Sequence, residues 1–389
     1  MGSVAGFTST GSKRPQALFG MEDADMPVRM VRSAGCRVWD ERGREYVDYL
    51  MGLGAVALGY GHPAVSEAAV RAVHEGVVGP LPPVLEEELA HELTRRIKPV
   101  EKVRFLKTGA EAMAAAVRLA RVATGRDRIL GCGYHGWLDW CRQAESAGVP
   151  AATRALYREL PFDDPARARE MIRAAGDKLA AVVFEPVIDR EPGAEWLGVL
   201  REETRRTGAL LVVDEIKTVC RLAVGGATER YALDPDLVVL GKAMGNGFPI
   251  AAVGGKAPAM AGIGHTWISS TLATEWVSLA ASLATLKVVV EERVPEHLAR
   301  VGGRLLDGLR RLAEVHDAAV VGVGGIAEMC FLEFRSDELS GRLARAAAER
   351  GLLFKRSAYN FVSLAHDEAL VDQSLAVLEE SLSTLDGAG

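Results

Sequence analysis

Apolar residues recur at helical spacing at Leu85, Leu89, Leu93 and Ile97, and they alternate with polar ones across residues 28–49. The first pattern predicts a helix over residues 85–97 with one buried face. The second predicts a small antiparallel sheet turning at Arg42-Gly43. Residues 103–106, 128–130, 180–184, 210–213 and 237–240 are instead short, largely apolar runs, as expected of strands buried on both faces of a parallel sheet. Helices are predicted at residues 64–74, 109–121, 197–207 and 280–291, and a further strand at 248–254. Beyond these the order changes, with helices at 295–316, 339–350 and 368–385 and strands at 326–334, 352–355 and 361–365. The fold class is therefore α/β, with residues 51–290 forming a large domain, residues 291–389 a small α+β domain, and residues 1–50 an N-terminal segment joined to the small one. Residues 1–14 are expected to be disordered.

Composition narrows the class of protein. A chain of 389 residues that is 49% hydrophobic and 25% charged can bury two cores. Its net charge of -6 argues against a nucleic-acid surface. No apolar run reaches the length of a membrane span, and the first ten residues carry no signal-peptide core. A cytoplasmic protein with no membrane or nucleic-acid partner is expected. Cys36, Cys132, Cys141, Cys220 and Cys330 are odd in number and lack Cys-x-x-Cys spacing, so neither a disulfide framework nor a metal site is expected.

Two of the buried runs end abruptly in charge, one at Asp214 and one, after Gly241, at Lys242. Ligands of open α/β sheets bind at the carboxyl edge of the strands, so both residues would face one crevice. A carboxylate and a lysine there suit pyridoxal phosphate. Its aldehyde needs an amine to form a Schiff base, and its ring nitrogen must keep a proton to draw electrons from the substrate carbon. Lys242 would supply the amine, desolvated by the apolar run before it, and Asp214 would hold the pyridinium proton. Taken singly, each reads better as a capping aspartate or a solvated lysine. Upstream, strand 103–106 runs into Lys107-Thr108-Gly109-Ala110-Glu111, where Thr108 and Glu111 form a capping box. The helix N-terminus so made offers backbone N–H groups and a positive dipole end to a phosphate, although a lone Thr-x-x-Glu is more often only a cap. Ile216, two residues beyond Asp214 on the same face, would lie against the cofactor ring.

In order along the chain, Val213-Asp214-Glu215-Ile216, Arg221-Leu222-Ala223, Asp234-Pro235-Asp236-Leu237 and Gly241-Lys242-Ala243-Met244-Gly245-Asn246-Gly247-Phe248-Pro249 resemble the signature of class III pyridoxal phosphate-dependent aminotransferases. Within that family they look most like the glutamate-1-semialdehyde aminomutase branch, and the resemblance runs from about residue 15 to residue 385. It implies fold type I, a large domain with a mostly parallel sheet of the seven-stranded type plus a small α+β domain. It also implies that Thr108, Gly109 and Ala110 hold the cofactor phosphate, that Tyr134 lies flat on the ring with His135 beside it, and that Glu185 stands in the site. The glycine-dense loop 52–63 would border the entrance. Thr271 would reach the phosphate of a neighbouring subunit, which implies a homodimer with shared sites. Lys242 would move a proton between substrate and cofactor carbons in a ping-pong exchange between an amino-acid donor and an aldehyde or ketone acceptor.

The chain departs from that pattern in several places. Thr108-Gly109-Ala110 replaces Ser-Gly-Thr, and no asparagine can be matched in residues 187–196, where Arg190 stands instead. Thr274-Glu275-Trp276 replaces Gly-Asn-Pro after the threonine. Ala17 occupies the position of the arginine that takes the substrate carboxylate in the aminomutases, and their glutamate is missing around residues 357–360. An unpaired carboxylate binds poorly, so a substrate other than the semialdehyde is expected. Lys217 is similar instead to aminotransferases that install amines on sugar or cyclitol carbonyls in antibiotic pathways. Arg356, Arg190 and Lys217 are candidate substrate contacts. The expectation is a transaminase of specialised metabolism. The alternatives are an isomerase (aminomutase, racemase or epimerase) using the same Lys242, and a non-catalytic relative kept as a binding partner.

Overall fold

The structure, a computed structural model, describes residues 3–21, 25–141 and 147–386. It separates into two compact units, one of Met1–His62 with Glu296–Gly389 and one of Pro63–Pro295. Both cuts fall later along the chain than the expected boundaries at residues 50 and 290. The glycine-dense loop is tied into the first unit, because Gly35 and Tyr60 exchange backbone hydrogen bonds of 2.9 and 2.7 Å and the Tyr60 hydroxyl donates to Asp48 at 2.7 Å.

The first unit opens with β1 (Met30–Ala34), β2 (Arg37–Asp40) and β3 (Glu45–Asp48), paired antiparallel. Asp40 fixes the turn between β2 and β3, since its Oδ1 accepts the N–H groups of Arg42 and Arg44 at 2.9 Å each. Upstream of this sheet the described residues form a short 3-10 helix at Gly11–Lys13, within the stretch expected to be disordered, and beyond that stretch a helical turn at Pro15–Phe19 whose Pro15 and Phe19 are buried. Met1 and Gly2 lie outside the described residues.

The second unit carries β4 (Lys102–Leu106), β5 (Arg128–Cys132), β6 (Tyr157–Glu159), β7 (Leu179–Phe184), β8 (Leu210–Asp214), β9 (Leu237–Leu240) and β10 (Ala251–Gly255). They make one seven-stranded sheet in the order β4-β10-β9-β8-β7-β5-β6. Neighbours from β6 to β9 are parallel, and β10 runs antiparallel to both β9 and β4. Every residue of β7 and β9 is buried, which is why these strands read as unbroken apolar runs. The strand expected from residue 248 starts at Ala251 because Phe248 closes a turn onto the Gly245 carbonyl at 3.0 Å, after Asn246 in a left-handed conformation. Among the elements of this unit that were not expected are an edge strand and a helix. β6 is a three-residue edge strand, and helix Pro165–Ala175 buries only Ala168 and Ile172, too few apolar positions for a legible periodicity.

Helix Trp276–Glu291 starts earlier than expected because Glu275 caps it, accepting the N–H groups of Val277 and Ser278 at 2.8 and 3.0 Å. Glu275 also pairs with Lys107 at 2.6 Å. The departure from the family's Gly-Asn-Pro thus has a local structural reason. In helix Ala194–Thr207 the buried Glu203 takes hydrogen bonds from Arg173 and Arg206. These bonds, Arg173's first, hold its carboxyl at about 2 against burial that pushes it up. A carboxyl depressed in this way contributes stability that is full above its unfolded value of 4.5 and is lost as pH falls through about 2. Glu203→Gln is therefore expected to lose less stability than the native protein over that interval, as read from urea midpoints at stepped pH. Equal losses would contradict the assignment.

The first unit is completed by β11 (Val320–Ile326), β12 (Met329–Phe334), β13 (Leu352–Leu353) and β14 (Asn360–Phe361), with helices Val294–Val315, Asp337–Glu349 and Glu368–Asp386. The single strand expected at residues 326–334 is half of a hairpin. Its partner β11 escapes notice because of its glycines, and Gly324 is required there, since a Cβ would come within 2.3 Å of the Phe331 ring. Strands 352–355 and 361–365 shrink to the two-residue β13, parallel to β3, and β14, paired with β12. Among the described residues no helix is long and apolar enough to cross a membrane, and no group of three or more metal-ligating side chains converges.

Candidate active site

The carboxyl ends of β5, β7, β8 and β9 deliver Tyr134-His135, Glu185, Asp214 to Lys217, and Lys242 respectively. Asp214, the last residue of β8, is 2% exposed. A buried carboxylate is costly unless hydrogen-bonded, and this one lies 2.8 Å from His135 Nδ1 through Oδ2 and accepts the Ile216 N–H at 3.1 Å through Oδ1. His135, also buried, finds no partner for Nε2 among the described residues and stacks toward Trp140 at 6.0 Å between ring centres. The sequence presented His135 only as a neighbour of Tyr134. The structure instead joins it to Asp214, 79 residues away in the chain.

Lys242 sits just past β9 with a φ of 46°, a left-handed conformation that costs a residue other than glycine about 1–3 kcal/mol and concentrates at functional sites. Burial of its amine pushes its pKa below the ordinary lysine value, Glu185 and Asp214 oppose that shift, and Lys217 and Arg221 reinforce it. A neutral amine is what nucleophilic and proton-transfer chemistry requires of a lysine.

The turn from β4 into helix Gly109–Thr124 forms the full capping box: Thr108 Oγ1 accepts the Glu111 N–H at 3.2 Å, and Glu111 accepts the Thr108 N–H at 2.9 Å. The Thr108 hydroxyl also donates to Glu111 at 3.0 Å. It is therefore already engaged, and the donors that geometry leaves for an anion are the N–H groups of Gly109 and Ala110, which have no acceptor within the helix. Gly109 leaves at the turn the room that the Ile216 side chain fills. A Cβ on Gly109 would come within 2.6 Å of Ile216 Cδ1, and one on Gly136 within 2.7 Å of Ala110 Cβ. Ile216 also packs toward Gly241, 3.7 Å from where its Cβ would stand. It thus bridges the turn at Gly109 and the strand end that carries Lys242.

The desolvated amine, the buried carboxylate, the orphaned His135 nitrogen and the glycine turn fit pyridoxal phosphate. Lys242 would hold its aldehyde, Asp214 its ring nitrogen, and the turn its phosphate. Other expected residues stand as follows. Glu185 is buried and accepts the Tyr134 N–H at 3.0 Å. The Tyr134 side chain, expected to cover the ring, is 64% exposed. Thr271 opens the exposed end of a 3-10 helix, Thr271–Thr274. Arg190 does not stand in for the missing asparagine, because it pairs with Asp163 and Asp189 and lies over Phe162. Arg356, in the first unit, is occupied by Asp337 at 2.5 Å and by the Ala17 carbonyl at 3.1 Å. Lys217, a candidate substrate contact, is 6% exposed and paired with Glu185 at 3.1 Å. Glu215 is likewise buried and orders the following loop by accepting from the N–H groups of Ala227 and Thr228.

Residues 19–384 match the family described as aminotransferase class-III. Glutamate-1-semialdehyde 2,1-aminomutase of Desulfitobacterium hafniense (strain DSM 10664 / DCB-2) is 33% identical, over 92% of this chain and 91% of the relative. Among solved structures, FumI of Sphingopyxis sp. MTA144, determined with PLP, superposes with a TM-score of 0.88 at 26% identity, covering 94% of this chain and 90% of that one. A β-phenylalanine aminotransferase of Variovorax paradoxus superposes with a TM-score of 0.85 at 27% identity, covering 95% and 90%. Sequence match, sheet topology and strand-end chemistry agree, and the chain belongs to the class III aminotransferases, enzymes whose cofactor is pyridoxal phosphate.

Proposed function

We propose that this enzyme is a ping-pong transaminase that carries an amino group from an amino-acid donor to an aldehyde or ketone other than glutamate 1-semialdehyde, in specialised, antibiotic-type metabolism. The observation that carries the reading is the desolvated Lys242 amine at a strand end adjoining the buried Asp214–His135 pair. When bound, pyridoxal phosphate supplies an electron sink that acidifies the substrate carbon. Asp214 keeps the ring nitrogen protonated, and His135 holds the Asp214 carboxylate in one orientation. Lys242, as a neutral amine, takes the proton from the substrate carbon and returns it one position along. The Gly109 and Ala110 N–H groups, with Thr108 as the cap that orders them, bind the phosphate. Ile216 and Tyr134 flank the ring, and Glu185 borders the substrate. Thr271 reaches the phosphate of the neighbouring subunit in a homodimer.

Two observations support a substrate other than the semialdehyde. Position 17 carries alanine, and the first unit's Arg356 is spent on Asp337, so neither offers the bidentate cation that a carboxylate prefers. The Desulfitobacterium relative's name favours the second reading, a 2,1-aminomutase. Titrating the purified enzyme with L-glutamate, L-alanine and L-glutamine decides between them. Conversion of the visible cofactor band to a near-ultraviolet one with release of an oxo acid is expected of the transaminase. Failure of every donor, together with turnover of the semialdehyde without a second substrate, would establish the isomerase instead.

A further inference from the structure

The site holds a second lysine. Lys217 Nζ lies 3.1 Å from Glu185 Oε1, with side-chain exposures of 7% and 10%. The other oxygen of Glu185 takes the Tyr134 N–H at 3.0 Å, and Gly133 makes the room, since a Cβ there would come within 2.6 Å of that oxygen. The carboxylate is therefore held from the ends of both β5 and β8. A buried ion pair seldom stabilises a fold more than apolar residues of the same volume would, so folding stability does not by itself explain it. Its position suggests what does. Ile216, which precedes Lys217, packs toward Gly241, which precedes Lys242. The charges acting on the Lys242 amine are those of Glu185 from β7, Lys217, Asp214 and Arg221 from β8 and the loop after it. His135, from the end of β5, acts on Asp214.

We infer that Lys217 is a positioning residue that keeps Lys242 unprotonated: by pairing with Glu185 it denies Lys242 a carboxylate partner, and its own charge offsets the attraction that Glu185 would exert on an ammonium there. The inference rests on the assignment of Lys242 as the acting amine. Without Lys217, Glu185 would be a lone buried anion facing Lys242 and would favour the charged lysine, and without Glu185 the repulsion from Lys217 would act uncompensated.

Two readouts report the Lys242 proton. One is the pH dependence of the rate at which apoprotein takes up pyridoxal phosphate, because only the free amine attacks an aldehyde. The other is the midpoint of the visible-band titration of the holoenzyme. Lys217→Met is expected to raise both midpoints by about one unit and Glu185→Gln to lower them by about the same. The double variant is expected to return close to native, and Lys217→Arg, which keeps the charge, to stay there. A Lys217→Met midpoint that is unchanged or lowered overturns the inference, as does a double variant that keeps the shift of either single one. Should Lys217→Met fail to fold, Glu185→Gln tests the same claim from the opposite side, and an unchanged or raised midpoint overturns it. Lys242→Ala apoprotein separates the two possible failures. Native-like uptake by that variant would sink the assignment of Lys242, whereas lost uptake with an unmoved Lys217→Met midpoint would sink only the role of the pair.

Discussion

Lys242→Ala is expected to lower the rate of the donor half-reaction about 1000-fold or more, the span that positioned proton transfer by a side chain contributes. The expectation rests on geometry that no neighbour duplicates. Lys242 is presented at the end of β9 on a left-handed backbone, and its amine is depressed by burial. Lys217 also carries an amine, but its Nζ is engaged by Glu185 at 3.1 Å, and a lysine paired with a carboxylate is a poor nucleophile and a poor base. Rapid-mixing absorbance after addition of the best donor measures the effect. A variant within tenfold of native would remove Lys242 from the chemistry.

Asp214→Ala is expected to cost about 150- to 5000-fold in the same half-reaction. Breaking a buried, hydrogen-bonded charge interaction costs about 3–5 kcal/mol, and each 1.36 kcal/mol is about tenfold in rate. The substitution removes the carboxylate assigned to the ring nitrogen and leaves both nitrogens of the buried His135 without an acceptor or donor, since Nε2 already lacks a partner. Capture of pyridoxal phosphate by Lys242 is expected to survive, because the amine and the phosphate turn are untouched. A coloured but slow enzyme is therefore the predicted outcome. A colourless one would mean that Asp214 organises the site, and a rate within threefold of native would mean that it does not serve the ring nitrogen.

The residues behind these two predictions were legible in the sequence for a local reason. A strand buried on both faces must be apolar throughout, so a charged residue at its end is conspicuous, and the carboxyl edge of the sheet is where such residues meet a ligand. The capping box at Thr108 and Glu111 was legible in the same way, because a helix start depends on a few consecutive residues. What followed from it was not: the box engages the very hydroxyl that the family pattern would assign to the phosphate. Nor were β6, with three residues at the sheet edge, or β11, whose glycines suppress a strand signal that only the Phe331 ring across the hairpin explains.

The chain's amino-acid order by itself determined the buried strands, the glycine turn, and the two strand ends bearing Asp214 and Lys242, since each depends on burial or backbone geometry within a few residues. Tertiary structure alone decided which side chains face one another. With β7 between β5 and β8, Glu185 stands between Tyr134 and Lys217, and His135 reaches past it to Asp214. Such pairings depend on the order of strands in the sheet, which nothing in the local pattern of hydrophobic and polar positions encodes. They were therefore invisible until the strands were laid side by side.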